Sequence, residues 1–251
     1  MKNAEIKKLL EENKEELLNA DKVMSDNGIC YDGIVAEEEY EDSEKVIFLL
    51  KETNGCDSNG SVATELNDWD YRSWLEYQQH GNAEVPCFGQ KSFYRTFYNI
   101  GMWLQIFATD FAASDFEVFV QNGGLEESEL RKALGKTAIV NLKKTWGGSS
   151  TVWKDLKRYL ENEKVKAVLR QEIKIISPKI VLCGGKQVFD FAKEIFTAEK
   201  EFVLHISSKD LHCFLSNSAA FIEFYHPSCR KSREYLFDFA KEVKEQFYKN
   251  I

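Results

Sequence analysis

Ala219-Ala220-Phe221-Ile222-Glu223-Phe224-Tyr225-His226-Pro227-Ser228-Cys229-Arg230 opens as an apolar run with one acidic interruption and stops at a proline. Aromatic and β-branched residues in such a run read as a buried strand. Pro227 cannot donate to a ladder and biases His226 towards an extended backbone, so the imidazole is held at the strand's carboxyl end. In parallel α/β sheets, ligands bind outside that edge. His226 is therefore placed for chemistry; a strand-end histidine that merely caps a loop is the plain alternative.

Three further apolar segments end in polar or glycine-rich turns. Lys45 to Leu50 runs into Lys51-Glu52-Thr53-Asn54-Gly55, Thr137 to Leu142 into Lys143-Lys144-Thr145-Trp146-Gly147-Gly148, and Lys179 to Cys183 into Gly184-Gly185. Residues 201–206 suggest another short strand. Helical spacing marks Ile6, Leu9, Leu10, Leu17 and Leu18, then much of 91–120, 150–176, a stretch through Ile195, and 231–248. Strands alternating with helices over long crossovers predict an α/β fold. The expected architecture is a three-layer α/β/α sandwich with a central, mostly parallel four-stranded sheet. It forms one domain over 1–251, with an N-terminal helix at about 2–19 and an insertion at about 56–85.

The chain has 251 residues, 43% of them hydrophobic, enough for a full core. No apolar run is long enough to span a bilayer, and Met1 to Leu18 lacks the apolar centre of a signal peptide. No membrane association and a cytoplasmic location are expected. The six cysteines, at 30, 56, 87, 183, 213 and 229, form no C-x-x-C pair, so free thiols and no metal are expected. A net charge of −8 argues against indiscriminate nucleic-acid binding but leaves room for a local basic face. Cations cluster at Lys143-Lys144, at Lys154 with Lys157-Arg158, and at Arg230-Lys231 with Arg233. Two of these clusters follow strand ends; each on its own also fits an ordinary solvated surface.

In order and spacing, residues 45–240 resemble the uracil-DNA glycosylase superfamily. Its members carry a first motif of the form G-E-A-P-G, G-M-N-P-G or G-Q-D-P-Y, a middle strand with a base-reading asparagine, and a late H-P-S motif. The counterparts here are Lys51 to Gly55, Val140-Asn141-Leu142-Lys143, and His226 to Arg230, with Ile176 to Gly185 resembling the third strand and its glycine turn. The first motif departs from the pattern: Lys51 replaces its leading glycine, Thr53 stands where other branches place Asp or Asn, and Asn54 replaces its proline.

The resemblance implies a hydrolase that flips uracil, or a related or modified base, out of DNA and cleaves its N-glycosidic bond. His226 would stabilise charge on the departing base and Glu52 would orient water or stabilise the sugar cation. Asn141 would present one donor and one acceptor to the base edge. Asn54 and Gly55 of the first motif, with Phe88 of Pro86-Cys87-Phe88-Gly89-Gln90, would complete the substrate pocket. Lys143, Lys144, Ser228, Arg230, Lys231 and Arg233 would hold DNA. The family branch with G-E-A-P-G binds an iron–sulfur cluster, but this chain lacks the paired N-terminal cysteines, so no cofactor is expected. A monomer is expected. Two other readings stay open: a non-catalytic nucleic-acid-binding relative of the same fold, and an enzyme acting on a free nucleotide.

Overall fold

A computed structural model describes residues 1–21, 28–53, 69–80, 95–108, 116–147 and 152–250. Their strands, in chain order, are β1 (Cys30–Tyr31), β2 (Gly33–Ile34), β3 (Val46–Leu50), β4 (Trp69–Asp70), β5 (Ala138–Asn141), β6 (Ile180–Gly184), β7 (Lys200–His205), β8 (Asp210–Ser216) and β9 (Ala219–Phe224). The helices are α1 (Lys2–Glu12), α2 (Lys14–Ala20), α3 (Glu37–Glu41), α4 (Tyr71–His80), α5 (Arg95–Ala108) and α6 (Phe116–Gln121). After them come α7 (Glu127–Leu134), α8 (Trp153–Leu160), α9 (Glu163–Ile176), α10 (Lys186–Ile195) and α11 (Arg233–Asn250).

The fold is α/β with a mixed sheet ordered β2-β5-β3-β6-β9-β8-β7 among the described residues. Its four central strands, β5, β3, β6 and β9, are mutually parallel and are the four apolar runs read from the sequence. The expected four-stranded sheet was too small. An antiparallel β2 closes one edge, and the β7–β8 hairpin extends the other antiparallel to β9. The predicted short strand at 201–206 is β7. A two-residue parallel pairing joins β1 to β4, which together with α4 comes from the 56–85 insertion.

Period-two alternation sends the buried strand residues into two cores. Val46, Phe48 and Leu50 join Trp103, Leu130 and Phe237 on the side of α5, α7 and α11. Ile47 and Leu49 join Leu9, Leu169 and Val188 on the side of α1, α9 and α10. A sheet covered on both faces needs near-continuous apolar strands, which is why these runs were readable.

The N-terminal segment forms two helices where one was expected. Asn13 interrupts them with φ −110° and ψ 8°, its side-chain amide donating back to the Leu9 carbonyl at 2.8 Å. Asparagine competes with the helical ladder in this way.

Candidate functional site

The chain leaves β3 for β5 on one side and then crosses to β6 on the other. Strand connections therefore diverge at the carboxyl ends of β3 and β6, where open α/β sheets hold ligands. Lys51 and Glu52 follow β3, and Gly184-Gly185 closes β6. Gly185 has φ +110°, a conformation that favours glycine, and open space where a side chain would stand.

His226 borders this gap. The Cδ2 edge of its ring is 3.4 Å from where a Cβ on Gly184 would be. Nδ1 receives the backbone N–H of Ser228 at 3.2 Å and faces Ser228 Oγ at 2.8 Å. An N–H can only donate, so Nδ1 is the acceptor and the neutral ring carries its proton on Nε2. Burial, with a further contribution from the nearby Lys51 ammonium, lowers the His226 pKa to about 4. A neutral imidazole with an available Nε2–H is a hydrogen-bond donor for developing negative charge. Lys51 Nζ itself lies 5.9 Å from the Trp153 ring centroid.

Asn141 and His226 occupy the same edge, separated by β3 and β6. Three strand spacings put the ends of β5 and β9 roughly 14 Å apart. Asn141, however, is turned inward and buried. Its Nδ2 donates to Asp32 Oδ2 and to Thr53 Oγ1, each at 3.1 Å, while its backbone N–H donates to Asp32 Oδ2 at 2.6 Å. Both amide hydrogens are committed. The expected donor–acceptor pair facing a base is corrected to an amide that ties β5 to Asp32 and the first motif.

Lys143 and Lys144 also depart from expectation. Both are buried, so neither is a surface cation for DNA. Lys143 Nζ lies 2.9 Å from Asp21 Oδ2 and 3.4 Å from Glu52 Oε2, and donates to the Trp146 carbonyl at 2.9 Å. Lys144 Nζ lies 2.7 Å from Asp32 Oδ1 and 2.6 Å from Glu172 Oε2, all three side chains fully buried. Burial pushes the Glu172 pKa up to about 8. Desolvation and the neighbouring Asp32 raise it by more than the shared Lys144 ammonium lowers it.

Glu52 sits at the rim of this network, its side chain 8% exposed. It packs on bare backbone at Gly147, where an added Cβ would come within 2.3 Å of the Glu52 carboxyl carbon. Gly147 N–H donates to the Thr53 carbonyl at 2.8 Å, fixing the first motif against the turn after β5.

The chain matches no protein-family model and no curated protein.

Ser228, Arg230, Lys231 and Arg233 are exposed and follow His226 directly. Arg230, Lys231 and Arg233 line one wall of a groove of about 610 Å3, and Arg95, Tyr98 and Asn99 of α5 form the other. Sequence reading missed Arg95 and Tyr98, taking 91–120 only as a largely helical stretch; a cation at the start of α5 was the available signal. It also missed Asp21, Asp32 and Glu172, for which no spacing gives a signal. Asn54, Gly55 and Phe88 lie outside the described residues. Among the described residues, no cluster of His, Cys, Asp and Glu is arranged to hold a metal ion, and no helix is long and apolar enough to cross a membrane.

Proposed function

We propose that this protein is a uracil-DNA-glycosylase-like hydrolase, built as a three-layer α/β/α sandwich, that extrudes a base from DNA and cleaves its N-glycosidic bond. The observation that carries the reading is the neutral His226 at the strand-divergence point, with Nδ1 occupied by Ser228 and Nε2–H available. As the glycosidic bond breaks, its electron pair leaves with the base and the sugar becomes cationic. Nε2–H donates to the base oxygen that gains charge, and Lys51 adds positive potential beside it. Glu52 stabilises the sugar cation, and water adds to the anomeric carbon, its proton passing in the end to the departed base anion. Base extrusion needs a pocket, aimed dipoles and gripped phosphates, which suits the basic groove beside the His226 turn.

Incubation with oligonucleotides carrying uracil, hypoxanthine or modified pyrimidines tests the reading directly. Release of one of these bases, lost in His226→Ala, is the expected result. Absence of release from all of them would remove the enzymatic reading.

A second reading is favoured by the inward pairing of Asn141 and by the Lys143–Glu52 ion pair: a nucleic-acid-binding relative without catalysis. It gives oligonucleotide binding with no base release.

A further inference from the structure

We infer that the groove between the first turns of α5 and the 227–233 turn is a phosphodiester seat in which Arg95 is the second jaw. The inference rests on the DNA reading above for the identity of the polyanion.

Four cations, Arg95, Arg230, Lys231 and Arg233, line the groove with no carboxylate among its walls. All four are exposed, and among the described residues none pairs with an acid. The chain's net charge is −8, yet the charged residues lining this groove are all cations. Unneutralised like charges in one groove repel one another, and an anion lying between them removes that cost.

The groove is also held in shape before any ligand arrives. The Arg233 guanidinium lies 4.1 Å from the Tyr98 ring centroid, which restrains a side chain that would otherwise wander. Lys231 Nζ lies 5.3 Å from the Tyr235 ring. Buried Asn99 donates from Nδ2 to the Pro227 carbonyl at 2.6 Å, tying the α5 wall to the turn that carries His226. Arginine forks match phosphate oxygens in a bidentate manner, and Arg95 across the groove from Arg230 and Arg233 suits a backbone phosphate. A strand whose extruded nucleotide reached His226 would lay a flanking phosphate here, since Pro227 directly follows the histidine.

Binding of a labelled uracil-containing oligonucleotide, single-stranded and in duplex, would be titrated at several salt concentrations. Arg95→Ala should weaken binding roughly tenfold and lower the salt slope by about one, with Arg95→Lys recovering part and Arg95→Glu losing more. The melting temperature should not move, because Arg95 is exposed. Arg95→Ala binding like the parent, or a parent that binds neither form, would overturn the inference. Base release is measured on the same samples. Release without dependence on Arg95 removes the groove and leaves the glycosylase reading; Arg95-dependent binding without release removes the glycosylase reading and leaves the groove.

Discussion

The backbone N–H of Ser228 points at Nδ1 of His226 from 3.2 Å, which assigns the ring proton to Nε2. The same turn residue thereby selects the tautomer and holds the ring plane.

His226 should titrate with a midpoint near 4 in the folded protein, well below its ordinary 6.5. The neutral form is favoured by the fold, so the unfolded chain binds more protons between these values. This group's contribution to stability is present above pH 6.5 and is lost as pH falls towards 4. Imidazole chemical shifts followed by NMR from pH 8 to 3 provide the check, and a midpoint near 6.5 would contradict the assignment. His226→Ala should slow base release by about two to three powers of ten with oligonucleotide affinity nearly unchanged.

Lys144→Met should destabilise the fold by about 3–5 kcal/mol, because Asp32 loses its buried cation. Glu172→Gln, close in shape to a protonated carboxyl, should cost far less. Urea unfolding of both variants compares them. Equal losses would mean that Glu172 is ionised beside Lys144.

Asn141→Asp would set a second carboxylate 3.1 Å from Asp32 Oδ2. A loss of about 2–4 kcal/mol is expected at neutral pH, easing on acidification. Asn141→Ala should cost about 1–3 kcal/mol through unpaired partners. Thermal unfolding at pH 5 and pH 8 distinguishes the two. If Asn141→Asp folds normally and only base preference changes, the residue faces the substrate after all.

Replacing Arg230, Lys231 and Arg233 together with Ala should flatten the salt dependence of oligonucleotide binding on every sequence alike. Lys143→Met should leave that slope unchanged, because its ammonium is spent on Asp21 and Glu52. Fluorescence anisotropy across a salt series reads both.

The parallel core was legible because β3, β5, β6 and β9 are nearly unbroken apolar runs. β8 was not, since Asp210, His212 and Ser216 break up a half-buried strand. β2 is two residues long and carries no pattern of its own. His226 was legible from its strand and its proline. Lys143 and Lys144 misled because a lysine's sequence position says nothing about which acids reach it. Their partners, Asp21, Asp32, Glu52 and Glu172, come from four separate segments that only the tertiary fold brings together.

The retained proton on Glu172 gives folding a proton inventory. Near neutral pH the unfolded carboxyl is ionised and the folded one is not, so each molecule takes up a proton at this position as it folds. His226 does the reverse between its ordinary 6.5 and its folded value of about 4, releasing a proton on folding. The two exchanges oppose one another and offset in part until pH passes the ordinary histidine value of 6.5. Above that value the raised Glu172 pKa dominates, and stability should decline as pH rises towards 8. The heat of refolding near neutrality should then vary with the ionisation enthalpy of the buffer, and Glu172→Gln should abolish much of that variation.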